Sequence, residues 1–140
     1  MKLVGNKLDR FNRGYIQALI FKPELDIERP IDLLIDTGAA NTIISMFDAK
    51  NLGISINKLK KSAIPVKGVG GHETPARHLG ECQLVFRLGS TWLIENLEDI
   101  LVLEDNENTE DAEDSPSVLG MDVLRYYNVD CSGQQFILER

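Results

Sequence analysis

The apolar residues of this chain come in short runs, each soon stopped by glycine, proline or a polar turn. That pattern is the signature of an all-β chain, because a packed helix needs apolar positions recurring over ten or more residues. Residues 14–22 (GYIQALIFK) read as one strand, 23–29 as the return, and 30–36 (PIDLLID) as the next strand. The second of these is nearly all apolar by its end, so it is expected to be buried on both faces. Residues 42–45 make a short strand, and 46–52 make two helical turns stopped by Gly53. Residues 64–69 run into Gly68, Gly70 and Gly71, a hairpin tip. A long strand is expected over 74–88, with Pro75 favouring an edge, followed by strands at 91–95, 99–103 and 134–139. Residues 121–127, directly after Gly120, have helix-compatible composition.

A chain of 140 residues is one domain, here 1–140, and can bury an ordinary core without disulfides. Its apolar content of 43% excludes a disordered chain. Cys82 and Cys131 stand far apart and outside any CxxC spacing, so a reducing, cytoplasmic setting is the simpler reading. The N-terminal stretch has a lysine but no apolar core of a signal peptide, and no run approaches the roughly 20 residues a membrane helix needs. The net charge of −7 sits in one segment, residues 104–114 (EDNENTEDAED), which holds seven acidic residues. The remaining 15 acidic residues balance 15 basic ones, so no basic surplus exists to bind nucleic acid. Such an acidic run is ordinarily a solvated loop.

The segment that carries chemistry is Leu33-Leu34-Ile35-Asp36-Thr37-Gly38-Ala39. A buried apolar strand here delivers a carboxylate into a tight turn. An unpaired buried carboxylate costs several kcal/mol, so such a placement implies a partner or a use. Gly38 gives the turn its backbone freedom, and Thr37 offers a hydroxyl that can hold neighbouring groups. Asp-Ser/Thr-Gly alone is a modest signal, arising by chance in roughly one chain of this length in fifteen. The bland reading is an ordinary turn after a strand. Two further elements follow in order: Val66-Lys67-Gly68-Val69-Gly70-Gly71, then Ser117-Val118-Leu119-Gly120-Met121-Asp122.

In these three elements and their order the chain resembles the retropepsins, the retroviral-type aspartic proteases, over roughly residues 14–135. In that family Asp-Thr-Gly-Ala follows an apolar strand, a glycine-rich flap comes next, and an apolar-apolar-Gly element precedes a short helix. The resemblance implies an all-β fold, a closed barrel with one short C-terminal helix. It implies an aspartic endopeptidase acting as a homodimer on a peptide or protein substrate, with no cofactor. Asp36, Thr37 and Gly38 would form the catalytic turn, while Ala39 and the flap residues Gly68, Val69, Gly70 and Gly71 would contact substrate. Asp32, Asp122 and Asp130 lack the strand–Asp–Thr–Gly context, so the second catalytic Asp36 must come from another copy. Asp122, at a helix start, is expected only to favour the helix dipole. Some relatives carry Ser at the position of Ala39, and Ala predicts a less acidic optimum than theirs.

The chain departs from the viral pattern in the extra acidic length before Val118. Residues 1–13 and 134–140 are candidates for the terminal strands that knit viral dimers. His72, His78 and Cys82 match no familiar zinc spacing, so no metal site is expected. Trp92, Tyr126 and Tyr127 read as core or interface. The competing function is a catalytically weak or inactive peptide- or protein-binding module on the same fold, with a monomeric structural domain behind it.

Overall fold

The structure, a computed structural model, describes residues 1–5, 7–68, 71–104 and 115–140. Its frame is the hairpin of Gly14–Lys22 and Ile27–Ile35, antiparallel from Tyr15 opposite Leu34 to Lys22 opposite Ile27. Period-2 alternation drives it: Ile16, Ala18 and Ile20 face the core from one strand, Ile27, Ile31 and Leu33 from the other. Cys82–Leu88 adds Cys82, Leu84 and Phe86 to the same core. Each large side chain so buried contributes roughly 1.5–3 kcal/mol. Where Ile27–Ile35 ends, Leu33 and Leu34 are both buried, as its apolar end predicts.

One sheet carries most of the chain. Its path runs Thr91–Leu97, Cys82–Leu88, Gly14–Lys22, Ile27–Ile35, Val118–Leu119, Ile43–Ile44, Leu101–Leu103, Ala76–His78, Lys60–Lys61, with Lys7–Leu8 beside Gly14–Lys22. Val118–Leu119 lies parallel to Leu34 and Ile35, and Leu101–Leu103 parallel to Ile43 and Ile44. Among the described residues no ladder joins the two ends of this path, so the expected closed barrel is not seen in the pairing. The last strand at one end is two exposed lysines, a poor template for further pairing. The described residues form two short helices, Met46–Asn51, expected over 46–52, and Met121–Leu124, the one that the resemblance implies. The first is capped by the Ser45 hydroxyl accepting the Asp48 N–H at 3.1 Å.

Several boundaries differ from those expected. The second strand begins at Ile27, because the return is a single 3-10 turn at Pro23–Leu25. The long strand over 74–88 is three strands, Glu73–Thr74, Ala76–His78 and Cys82–Leu88. Pro75 has no N–H for a ladder, and Gly80 turns the chain with a φ of +84°, which a side chain would resist. The second helix stops at Leu124, leaving Asn128–Asp130 free to form a strand. That strand, Ile137–Glu139 and Lys2–Val4 make a separate three-stranded sheet, so the two termini pair with each other inside one chain. Tyr127 is core, whereas Trp92 and Tyr126 are exposed. Of the acidic run only Glu104 is described, held by Arg77 at 2.6 Å; residues 105–114 lie outside the described residues. Both cysteines are free, Cys82 buried and Cys131 exposed. No helix among the described residues is long and apolar enough to cross a membrane.

The turn into the first long strand is built on Asp9, whose side chain is fully buried. Its carboxylate accepts the Phe11 and Arg13 N–H groups, the Arg13 guanidinium and the Tyr15 hydroxyl, at 2.8–3.0 Å. Burial pushes its pKa up, but these hydrogen bonds outweigh that and hold it down to about 2. A folded-state pKa below the unfolded value means that the contribution is present above the unfolded pKa and lost as pH falls from about 4 toward 2. Denaturant titrations at pH 7, 4 and 2.5 should therefore show Asp9→Asn less stable at pH 7, with a shallower loss on acidification. Parallel losses in the two proteins would contradict this assignment.

Candidate active site

Ile27–Ile35 hands the chain to Asp36 at the point where it leaves its parallel neighbour. The Leu34 N–H donates to the Ser117 carbonyl at 2.9 Å, and the Asp36 N–H to the Leu119 carbonyl at 3.1 Å. The chain then reverses in a tight turn, the Ala39 N–H donating to the Asp36 carbonyl at 3.2 Å. Within that turn the Gly38 N–H donates to Asp36 Oδ1 at 2.9 Å, which aims the carboxylate. Asp36 is half-buried, while Thr37 and Gly38 are exposed at the tip. Asp36, Thr37, Gly38 and Ala39 thus lie together in one loop, as the sequence places them.

The apolar-apolar-Gly element is what clamps this loop. Val118–Leu119 inserts between Ile27–Ile35 and Ile43–Ile44, and Gly120 follows in contact with the loop backbone. A Cβ on Gly120 would stand 2.4 Å from the Asn41 carbonyl oxygen and 2.9 Å from that of Ala39. The helix that starts here donates its Met121 and Asp122 N–H groups to the Ala39 and Ala40 carbonyls, at 2.8 and 3.1 Å. Asp122 does more than favour a helix end. Its carboxylate accepts the Thr42 N–H at 2.9 Å and the Thr42 hydroxyl at 2.7 Å. The Thr42 hydroxyl in turn accepts the Gly120 N–H at 3.2 Å, and Thr42 is fully buried. Sequence reasoning missed this pairing, since its partners stand 80 residues apart with no local pattern to link them.

Asp36 opens onto a cleft of about 750 Å³. Gly38, Ala39 and Ala40 line it beside the carboxylate, and Ile43, Leu101 and Val118 form an apolar wall. Ser62, Ile64, Pro65, Val66, Lys67 and Gly68 also line it, leading into the glycine hairpin. Val66–Lys67 pairs with Glu73–Thr74, and the Gly68 N–H donates to the His72 carbonyl at 2.8 Å. Gly68 lines the cleft and Gly71 closes the turn, its N–H donating to the Gly68 carbonyl at 3.2 Å; Val69 and Gly70 lie outside the described residues. His72 is exposed, and His78 lines the far end of the cleft with Asp99. Among the described residues no three His, Cys, Asp or Glu side chains gather into a metal set. A second cleft of about 390 Å³, between Phe21 and Leu97, includes no part of the Asp36 loop.

The family described as "gag-polyprotein putative aspartyl protease" matches residues 26–126, which span the Asp36 loop, the hairpin and Gly120. A crystal structure of a retropepsin-like aspartic protease from Rickettsia conorii superposes with a TM-score of 0.60 at 19% identity, covering 99% of this chain and 89% of that one. EIAV protease complexed with the inhibitor HBY-793 gives a TM-score of 0.49 at 16% identity, over 86% of this chain and 93% of that one. No curated protein matches the chain.

Proposed function

From its place among the retropepsin-like aspartic proteases, the family to which this chain belongs, we propose that it hydrolyses peptide bonds as a homodimer with one Asp36 from each copy. The observation that carries this reading is the setting of Asp36: a half-buried carboxylate, aimed by the Gly38 N–H, at the mouth of a cleft large enough for peptide. Two carboxylates are needed to hold and activate one water. The other carboxylate of this cleft, Asp99, leads into Leu101–Leu103, with two strands between it and Ile27–Ile35, and its oxygens are engaged by His78 and the Gly80 N–H, so it is assigned no catalytic part. A twofold axis at the exposed Thr37-Gly38 tip supplies an identical one.

In the dimer the two close carboxylates share one proton, the arrangement by which aspartic proteases as a class work. The ionised member takes a proton from the bound water as it attacks the scissile carbonyl, and the protonated member polarises that carbonyl. Proton transfer to the leaving amine then separates the products. The hairpin of residues 66–74 acts as the flap, closing over substrate to exclude water. The cleft binds peptide in extended form along its apolar wall.

Solution mass and peptidase activity measured together from pH 3 to 8 test this reading. An active dimer supports it. A monomer, or a dimer that binds peptides without turning them over, favours the binding-module alternative. Ala39 sharpens the test, since it lines the cleft in the same turn as Asp36. Ala39→Ser adds a hydroxyl that can donate to the ionised carboxylate, so the acid limb of the profile should move to lower pH. An unmoved limb would remove Ala39 from any part in setting the optimum.

A further inference from the structure

The apolar wall of the cleft ends in an ionisable pair. Cross-strand partners form one row: Leu34, Val118, Ile43, Leu101 and His78. Partners in such a row project from the same face. Val118, Ile43, Leu101 and His78 all line the cleft, so the row runs along its wall. At its end the His78 Nδ1 lies 2.5 Å from Asp99 Oδ2, and the Gly80 N–H donates to Asp99 Oδ1 at 2.8 Å. Both side chains remain about one-third exposed, 37% for His78 and 34% for Asp99.

Resting on the peptidase reading above, we propose that His78 and Asp99 form a specificity subsite for a substrate side chain that donates hydrogen bonds, lysine or arginine foremost. A carboxylate only accepts, so Nδ1 is the protonated ring nitrogen and a neutral ring has an accepting Nε2. Asp99 uses one hydrogen bond on each oxygen and retains lone pairs on both. Asp99 therefore offers accepting lone pairs where the rest of the wall is apolar. Lys67, also on the cleft, is drawn toward Glu73 at 3.8 Å. Lys60, the neighbour of His78 in the next strand, is exposed, where solvent and salt screen its charge.

The sheet also locates the subsite along the substrate. Four strand-to-strand steps separate Leu34 from His78, at most about 20 Å from Asp36 at roughly 4.8 Å per step. Asp36 and His78 both line the one cleft. An extended peptide advances about 3.3 Å per residue, which puts the contact within about six residues of the scissile bond. Twofold symmetry repeats it on the other side.

The test uses fluorogenic peptides that differ only by lysine or norleucine at one of the positions up to about the sixth from the scissile bond. Norleucine keeps the stem of lysine and removes its charge and donors. Wild type should favour lysine by about 10-fold in kcat/KM at one of these positions, and Asp99→Asn should reduce the ratio to within about 2-fold of unity. A purely structural Asp99 would instead lower thermal stability and leave the ratio unchanged, which overturns the proposal. Should Asp99→Asn not fold, wild type alone decides, because equal rates at every one of these positions also overturn it. Absence of turnover on every peptide would defeat the peptidase reading but not this one. In that case calorimetric binding of the same peptides to Asp36→Asn decides it, about 10-fold tighter lysine binding supporting the subsite and equal affinities overturning it.

Discussion

Asp36→Asn should lower peptidase activity by at least about 10³-fold while leaving the fold intact, since the amide can neither take the proton of the attacking water nor share one with its partner. The substitution is nearly isosteric. The Gly38 N–H bond to Asp36 Oδ1 has an amide oxygen as a ready replacement, so the turn should hold. Near-identical far-UV spectra and unfolding midpoints are the controls. Subunit mixing makes the expectation specific to a shared pair. When wild type and Asp36→Asn exchange freely at equal amounts, only about a quarter of the dimers carry two carboxylates. Activity per wild-type chain should then fall by about half. If each chain held a complete site, mixing would leave activity per wild-type chain unchanged. Asp36→Asn retaining full activity would end the proposal for this residue.

Gly120→Ala should be the most damaging methyl group that can be added to this chain near the site. Its φ of −101° is ordinary extended backbone, so the objection is packing and not conformation. The new Cβ would stand 2.4 and 2.5 Å from the Asn41 carbonyl oxygen and carbon, backbone atoms that no rotamer change can move aside. Relief requires the helix at Met121–Leu124 to back away from the loop it anchors, loosening the Met121, Asp122 and Thr42 bonds together. A loss of about 2–4 kcal/mol is expected from such overpacking in a bonded core. Activity should fall by about 10²-fold or more, because a shift of order 1 Å at a catalytic group has that effect. Gly133→Ala, where the added Cβ meets nothing within 4 Å, is the matched control and should stay within about 0.5 kcal/mol of wild type. Denaturant unfolding and kcat/KM on the same samples measure both effects. Wild-type values for Gly120→Ala would mean the clamp described here has slack the structure does not show.

The long hairpin was legible because its causes are local. Alternation over 14–22 and the apolar end of the next strand each need only neighbouring residues to be read. The Asp36 turn was legible for the same reason, with Gly38 and Ala39 beside the carboxylate they help to aim. Boundaries failed where a single residue acts through its environment. Pro75 and Gly80 cut one expected strand into three, and the ladders that decide this involve Glu104 and Ile100, some 20 to 30 residues on. The expected barrel came with the resemblance, and among the described residues the ladders form an open path; the helix at Met46–Asn51, by contrast, was legible from residues 46–52 and the Gly53 stop.

By itself, then, the sequence determined a mostly-β chain of the retropepsin-like family and the loop in which its carboxylate sits, because periodicity and turn chemistry act between adjacent residues. Only the tertiary structure decided what holds and surrounds that carboxylate. Asp122 meets Thr42 across 80 residues, Asp99 meets His78 across 21, and the two termini pair with one another. No spacing rule announces such contacts. They arise because strand pairing brings distant chain together, and buried donors such as the Thr42 N–H must then find acceptors.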